Sequence, residues 1–404
     1  MKRYGWLLGC CLFLSIGMLW AADEPDLRML QQKAAQSRDM EGYVGVCKYL
    51  YQTEENPELL LLYADSIHQL ATKSKKPEQL VEYYIWASEG NFIKGDFQQG
   101  YALKRKAIAL AEKAGLKFAI SQSCCDMGYY CNVDARYDSA RYYFRKGLEA
   151  GEDLSEAGEA CRTMLTNYAS SFLFEGKTDS ALVYTIRASE RSAADKDTAM
   201  LIENLNQLGT IYRRKKNLEN CIANFEQALH LCELRGNHNA VAFIYGNIAT
   251  AYCDWNRPVD AIPFSEKAVE YALKTGNKRR IGTCYVNLGA IQIRLVQMRA
   301  EGIATLLKAI PILEEVNDRR LLCDAYNYLV NAYRMDGNLN QAMYYLQKLD
   351  KLAHEMQTDA ERFRYYQAKA GLLQESKNYT EAIVYYRRMI DMLRSGYKDT
   401  RDYE

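Results

Sequence analysis

The chain has 404 residues, 49% of them hydrophobic and 25% charged, with only 6 prolines. Its 52 basic and 51 acidic side chains leave a formal net charge of +1, so no electrostatic bias favours nucleic acid or an acidic membrane surface. Ala, Leu, Glu, Lys, Gln and Tyr dominate and alternating Val/Thr runs are scarce, which points to helix.

The first predicted element is a targeting segment. Lys2 and Arg3 precede an uncharged run from Tyr4 to Trp20, closed by Ala21-Ala22 and then Asp23-Glu24-Pro25. A basic start, an apolar stretch, small residues and a polar continuation form the layout of a secretory signal peptide. Residues 1–22 are therefore expected to be removed, leaving an exported chain in the periplasm or on the cell surface. The apolar run is near the lower length for a membrane helix, so an uncleaved anchor through residues 4–22 is the alternative. No second apolar run of that length follows, so no other membrane contact is expected. Without residues 1–22 the count is 50 basic against 51 acidic side chains.

Residues 23–38 read as an N-terminal capping helix, and residues 39–79 as a degenerate copy of the unit that then recurs over 80–396. Within that stretch a small residue returns as Ser88, Gly128, Ala169, Gly209, Ala249, Gly289, Val330 and Ala370, at intervals of 40 or 41. A second position returns as Ala107, Gly147, Ala188, Ala228, Ala268, Ala309, Leu349 and Met389, small in the first six. Small residues let helices approach closely, and neighbouring large ones fill the gaps. No single unit can bury its apolar face alone, so such units stack. Lys94-Gly95, Glu175-Gly176-Lys177, Lys216-Asn217 and Asp336-Gly337 supply Gly or Asn where helices must end. Pro57, Pro77 and Pro258 fall at predicted helix starts. Pro263 and Pro311 fall inside predicted helices and are expected to kink them or shift their hydrogen bonds. Residues 397–404 are a tail or the beginning of a further helix.

The order Leu208, Gly209, Tyr212, Cys221, Phe225, Ala228 resembles the large and small positions 7, 8, 11, 20, 24 and 27 of a tetratricopeptide repeat. Eight such units cover 80–396. Lys104, Thr185 and Ser265 depart from the large residue at position 24, and Val330 from the small one at position 8. The 40-residue period is similar to that of the long-helix branch, which includes kinesin light chains and bacterial receptors for signalling peptides. The resemblance implies an all-α, right-handed α-solenoid of helix pairs. It also brings to mind the exported sensor regions of bacterial membrane-bound regulators.

Catalytic and metal motifs are weak. Ten cysteines lie beyond residue 22, mostly at helix-packing positions, and read as small buried hydrophobes rather than disulfides or nucleophiles. The four histidines show no paired ligand spacing. Gly176-Lys177-Thr178 is similar to the end of a phosphate-binding loop, but it sits at a repeat turn with no preceding strand. No enzyme activity, cofactor or metal is expected.

The resemblance places positions 2, 5, 6, 9, 12 and 13 of each first helix on a ligand-facing wall. Position 6 reads Asp126, Asn167, Gln207, Asn247, Asn287 and Tyr328, and position 5 adds Asn206 and Asn327. Peptide-binding relatives of the long-helix type use asparagines there as a ladder. An amide both donates and accepts, so it can pair with a ligand's peptide groups; the same amides could instead cap turns or pair between helices. Arg213, Arg214, Arg294 and Arg334 fall at positions 12 and 13 and could clasp ligand carboxylates, or simply be solvated. Tyr129, Phe243 and Tyr328 are inward aromatics, whereas Tyr142, Tyr143, Tyr344, Tyr345, Tyr385 and Tyr386 are expected to pack between units. The expected partner is a peptide or protein, and the expected function a binding scaffold outside the cytoplasm, with a standing part in a cell-envelope complex as the alternative.

Overall fold

The computed structural model describes residues 27–53, 56–356 and 358–401; the signal segment expected at 1–22 lies outside them. Every regular element among the described residues is helical. The chain divides into two compact units, the first ending at Ile211 and the second beginning at Tyr212.

The first unit holds α1 (Leu27–Ser37), α2 (Met40–Thr53), α3 (Pro57–Ser74), α4 (Pro77–Lys94), α5 (Phe97–Ala114), α6 (Lys117–Val133), α7 (Tyr137–Gly151), α8 (Gly158–Phe174), α9 (Thr178–Ala194) and most of α10 (Thr198–Arg214). From the end of α10, the second unit runs through α11 (Leu218–Leu234), α12 (His238–Asp254), α13 (Pro258–Thr275), α14 (Lys278–Ile293), α15 (Arg299–Glu315), α16 (Arg319–Met335), α17 (Leu339–Leu352), α18 (Asp359–Glu375) and α19 (Tyr379–Arg401). The last helix continues past residue 396, where the sequence pattern placed its end. Short 3-10 turns at Ser155–Ala157 and Val296–Met298 take up the extra residue in the two 41-residue intervals that span them.

The turns explain the repeat's punctuation. A residue with positive φ ends one helix: Gly95, Gly176, Gly236, Gly276 and Gly337 do so at no steric cost, and Lys216 and Asn317 occupy the equivalent place. The following Asp96, Asn217, Asn237, Asn277, Asp318 or Asn338 then caps the next helix by accepting a backbone N–H three residues on. In the 216–217 turn it is therefore the lysine that takes the left-handed conformation and the asparagine that caps. Pro57, Pro77 and Pro258 open their helices. Pro263 and Pro311 sit inside α13 and α15, each removing one i→i−4 hydrogen bond without ending the helix.

Close approach of helices rests on the small positions. A Cβ on Gly289 would stand 2.7 Å from Leu306 Cγ and 3.1 Å from the Gly302 carbonyl oxygen, and a Cβ on Gly128 would overlap the Phe144 ring. Phe144, Phe225 and Leu306, large residues at position 24, are fully buried, whereas Tyr386 at that position of the last repeat is exposed. All ten described cysteines are free and nine are buried. Burial pushes the thiols of Cys47 and Cys232 up to about 12, which favours their un-ionised form. The tyrosines expected between units divide: Tyr345 is buried, while Tyr142 and Tyr344 are exposed, each against the ring of its sequence neighbour.

Candidate functional site

The first helices of successive repeats are α4, α6, α8, α10, α12, α14, α16 and α18. Their position-6 side chains, read from the sequence as one ladder, behave in two ways. Some are turned to internal work. Gln207 Nε2 donates to Ser170 Oγ at 2.8 Å, and the Thr185 hydroxyl lies 3.3 Å from Gln207 Oε1. Asp126 accepts from Lys104 Nζ at 2.9 Å. Asn327 at position 5 is buried, and Asn331 Nδ2 donates to its carbonyl at 3.0 Å. Two amides face outward. Asn287 is exposed and Asn167 half-buried. Neither side-chain amide has a hydrogen-bond partner among the described residues, although the Asn167 carbonyl accepts from Asn132 Nδ2 at 3.0 Å. Asn206 and Asn247 are half-buried, and the Asn206 carbonyl accepts from the Thr210 hydroxyl at 3.1 Å.

The arginines divide similarly. Arg213 reaches Asp254 of the following first helix at 3.6 Å, and Arg334 pairs with Glu375 of the following one. These are inter-repeat ion pairs, of the same kind as Arg364–Asp324 at 2.9 Å. Arg294 is exposed at the end of α14 and pairs with no acid among the described residues. Burial and the neighbouring Arg213 lower the pKa of Arg214. On the same wall, Glu203 at position 2 of α10 is pushed up to about 8, first by burial and then by Asp197.

The sequence reading missed a buried ionic cluster. Lys104, noted only as a departure at position 24, is fully buried, as is Glu89 at position 9 of the preceding helix. Its ammonium pairs with both Glu89 and Asp126, and the Tyr130 hydroxyl donates to Glu89 Oε2 at 2.7 Å. Burial opposes the lysine's charge, but Asp126 and Glu89 outweigh it and hold the pKa above its ordinary value. Burial pushes the Glu89 carboxyl up. A signal was present in the sequence: the residue 22 places after Lys104 is the one acid in the position-6 series.

Residues 199–274 match the tetratricopeptide repeat family model. This chain carries tetratricopeptide repeats. No curated protein matches it. Among solved structures, the repeats are similar to aspartyl phosphate phosphatase F from Bacillus subtilis, at 14% identity and a TM-score of 0.55 over 88% of this chain and 94% of that one. They are also similar to the apo quorum sensor NprR from B. thuringiensis, at 16% identity and a TM-score of 0.53 over 87% of this chain and 97% of that one. A signal transduction ATPase with a tetratricopeptide repeat sensor from Pyrococcus horikoshii aligns at 16% identity and a TM-score of 0.54, over 82% of this chain and 53% of that one. At such identities the likeness establishes the fold, an all-α tetratricopeptide-type solenoid, and nothing about ligands.

The first helices of each unit offer hydrogen-bonding amides and guanidinium groups. Two histidines are placed against tyrosines, His68 stacked on Tyr83 and His238 beside Tyr271. Among the described residues no group of three or more His, Cys, Asp or Glu side chains is placed to hold a metal ion. No helix among them is long and apolar enough to cross a membrane.

Proposed function

We propose that this chain is a non-enzymatic scaffold that holds a peptide or protein segment along its first helices, outside the cytoplasm, as the sensing part of a signalling system. The observation that carries the reading is the pair of outward amides without internal partners, Asn167 in the first unit and Asn287 in the second. A half-buried amide with unused donor and acceptor capacity is suited to a peptide backbone. Two of the similar structures are named as sensors and one as a phosphatase. The sensor names support the reading, and the protonated, buried thiols speak against a cysteine nucleophile. Location outside the cytoplasm rests on Lys2 through Ala22 alone.

The test uses the full chain and a positional-scanning pool of decapeptides. A neutral hydrogen bond contributes only about 0.5–1.5 kcal/mol, so Asn167→Ala and Asn287→Ala, made one at a time, should each weaken binding within its own unit by up to roughly tenfold. The melting temperature should stay near that of the parent, because neither amide bonds within the fold. Unchanged affinity for the selected peptides rules the reading out. Intact-mass measurement of exported material tests the location: a chain beginning at Ala22 or Asp23 supports it, and a soluble cytosolic chain retaining Met1 to Trp20 does not.

A further inference from the structure

Three consecutive cations open α14, and their partners differ. Lys278 pairs with Glu315, and Arg279 pairs with Asp318 at 2.8 Å; Asp318 caps α16 of the following repeat. Arg280 turns the other way, towards α12. Its Nε donates to Asn239 Oδ1 at 3.0 Å, and its guanidinium carbon stands 5.2 Å from the centre of the Phe243 ring. Among the described residues no carboxylate lies within ion-pairing distance of it. Arg280 is nevertheless only half-exposed, and burial, together with Arg279, lowers its pKa.

A guanidinium partly removed from water without a counter-charge is unfavourable. Here it is also held in place. Asn239 occupies the Nε–H, and Phe243 attracts the cation from one side. The Nη1 and Nη2 edge has no protein acceptor among the described residues, and it is the planar fork that matches a carboxylate with two parallel hydrogen bonds. Asn239, Phe243 and Gly246 follow one another along one face of α12, and Thr283 and Asn287 continue from Arg280 along α14. A Cβ on Gly246 would meet nothing within 4 Å. Unlike Gly289, this glycine answers no packing need, although glycine inside a helix is unfavourable relative to alanine. Its bare backbone leaves room for another chain to lie close.

We propose that Arg280, positioned by Asn239 and Phe243, is a carboxylate-binding site that anchors an acidic group of a peptide lying over α12 and α14. The site deepens, and rests on, the reading of the first helices as a peptide-binding wall. The acidic group is either the peptide's terminal carboxylate or an Asp or Glu side chain.

Small probes test the site on the full chain. N-acetylglycine stands for a peptide terminus, N-acetylglutamic acid α-amide for an acidic side chain, and N-acetylglycinamide for neither. Their binding is followed by NMR through the Arg280 Nε–Hε signal, identified from its loss in Arg280→Lys. At least one carboxylate should saturate, with a Kd on the order of millimolar, and the tighter of the two names the source. N-acetylglycinamide should leave the signal unmoved. Arg280→Lys, which keeps the charge and loses the fork, should weaken the carboxylate about tenfold or more by calorimetry, whereas Arg257→Lys, at an arginine paired with Asp260, should not. The site is overturned if neither carboxylate saturates the Arg280 signal, or if Arg257→Lys weakens binding as much as Arg280→Lys. Acidic members of the decapeptide pool that bind parent and Arg280→Lys equally also overturn it, while leaving the peptide-binding wall standing. Saturation by a carboxylate with no decapeptide bound has the opposite meaning: the anion site holds and the peptide reading fails.

Discussion

Lys104→Met is the most informative change to the fold. Methionine fills much of the volume of the lysine stem, so the perturbation is the ammonium and its bonds to Glu89 and Asp126. Asp126 keeps about a fifth of its side chain in solvent, with a relative exposure of 21%, and can rehydrate. Glu89, with 3% of its side chain exposed, cannot, and would keep only the hydrogen bond from Tyr130. Removing one partner of a buried pair costs about 3–5 kcal/mol, chiefly because the other charge remains stranded. A further change of Glu89→Gln removes that charge while keeping an acceptor for Tyr130. It should bring the loss back to within about 1–2 kcal/mol of the parent, the scale of the hydrogen bonds that remain unmade.

The deficit of the single variant should also depend on pH. Burial already raises the Glu89 carboxyl, and without Lys104 it rises further. The folded variant then retains a proton that the unfolded chain releases above about pH 4.3. Its stability falls as pH rises from there and recovers in acid. Urea unfolding followed by circular dichroism at pH 5 and pH 8 measures both effects. Because repeats can unfold piecemeal, hydrogen exchange in α4, α5 and α6 should localise the loss. A cost below about 1 kcal/mol, far under that of a stranded buried charge, would refute the argument, as would a double variant no more stable than the single.

Glu203 should impose a weaker pH dependence of its own. Its pKa is raised to about 8 in the folded chain, so its contribution to stability falls as pH rises from the ordinary carboxyl range towards 8. One proton gives a slope of at most about 1.4 kcal/mol per pH unit, and the part of Glu203 left in solvent makes it shallower. Glu203→Gln should flatten the profile, and an unchanged profile would assign the dependence elsewhere. Gly289→Ala and Gly246→Ala should move stability in opposite directions. The first drives a Cβ to 2.7 Å from Leu306 Cγ and should cost about 1–3 kcal/mol by overpacking, against a gain of up to about 1 kcal/mol in helix propensity. The second meets nothing and should keep that gain. Thermal melts of the two variants decide it, and a stabilised Gly289→Ala would contradict the close contact.

The fold was legible because its determinants are periodic. Gly128, Gly289 and the alanines at position 27 recur at a fixed interval, and each marks a close helix contact whatever the neighbouring residues. The turns were readable because few residues tolerate positive φ, although Lys216 and Ala135 adopt it too, and only the following cap residue reveals some of those turns. The wall was less legible. Its positions follow from the period, but the direction a polar side chain takes depends on what lies behind it. Lys104 read as a defect because its two acids are separated from it by 15 and 22 residues. Arg213 and Arg334 read as ligand groups because their acids lie 41 residues on, in the next repeat. Arg280 went unnoticed because position alone does not show that a cation has an amide and a ring beside it instead of a carboxylate.

Reach across the repeat register accounts for the two behaviours of position 6. Position 24 of one repeat precedes position 6 of the next by 22 residues in the Lys104–Asp126 and Thr185–Gln207 pairs, and in both a polar group at 24 meets a polar side chain at 6. A lysine spans the gap to a short aspartate. A threonine does not, but Gln207, one methylene longer than asparagine, comes to 3.3 Å of its hydroxyl. Ser265 and Asn287 stand in the same register with neither length. Ser265 is buried, and Asn287 remains exposed without a partner. Before Asn167, position 24 is Phe144, a buried aromatic with no hydrogen bond to give. Where position 24 is polar and the two side chains together are long enough, as for Lys104–Asp126 and Thr185–Gln207, the two positions meet within the fold. Asn287→Gln should therefore approach Ser265 and lose accessibility, while Gln207→Asn should release its amide and leave the Thr185 hydroxyl only its bond to the Ala181 carbonyl at 2.8 Å.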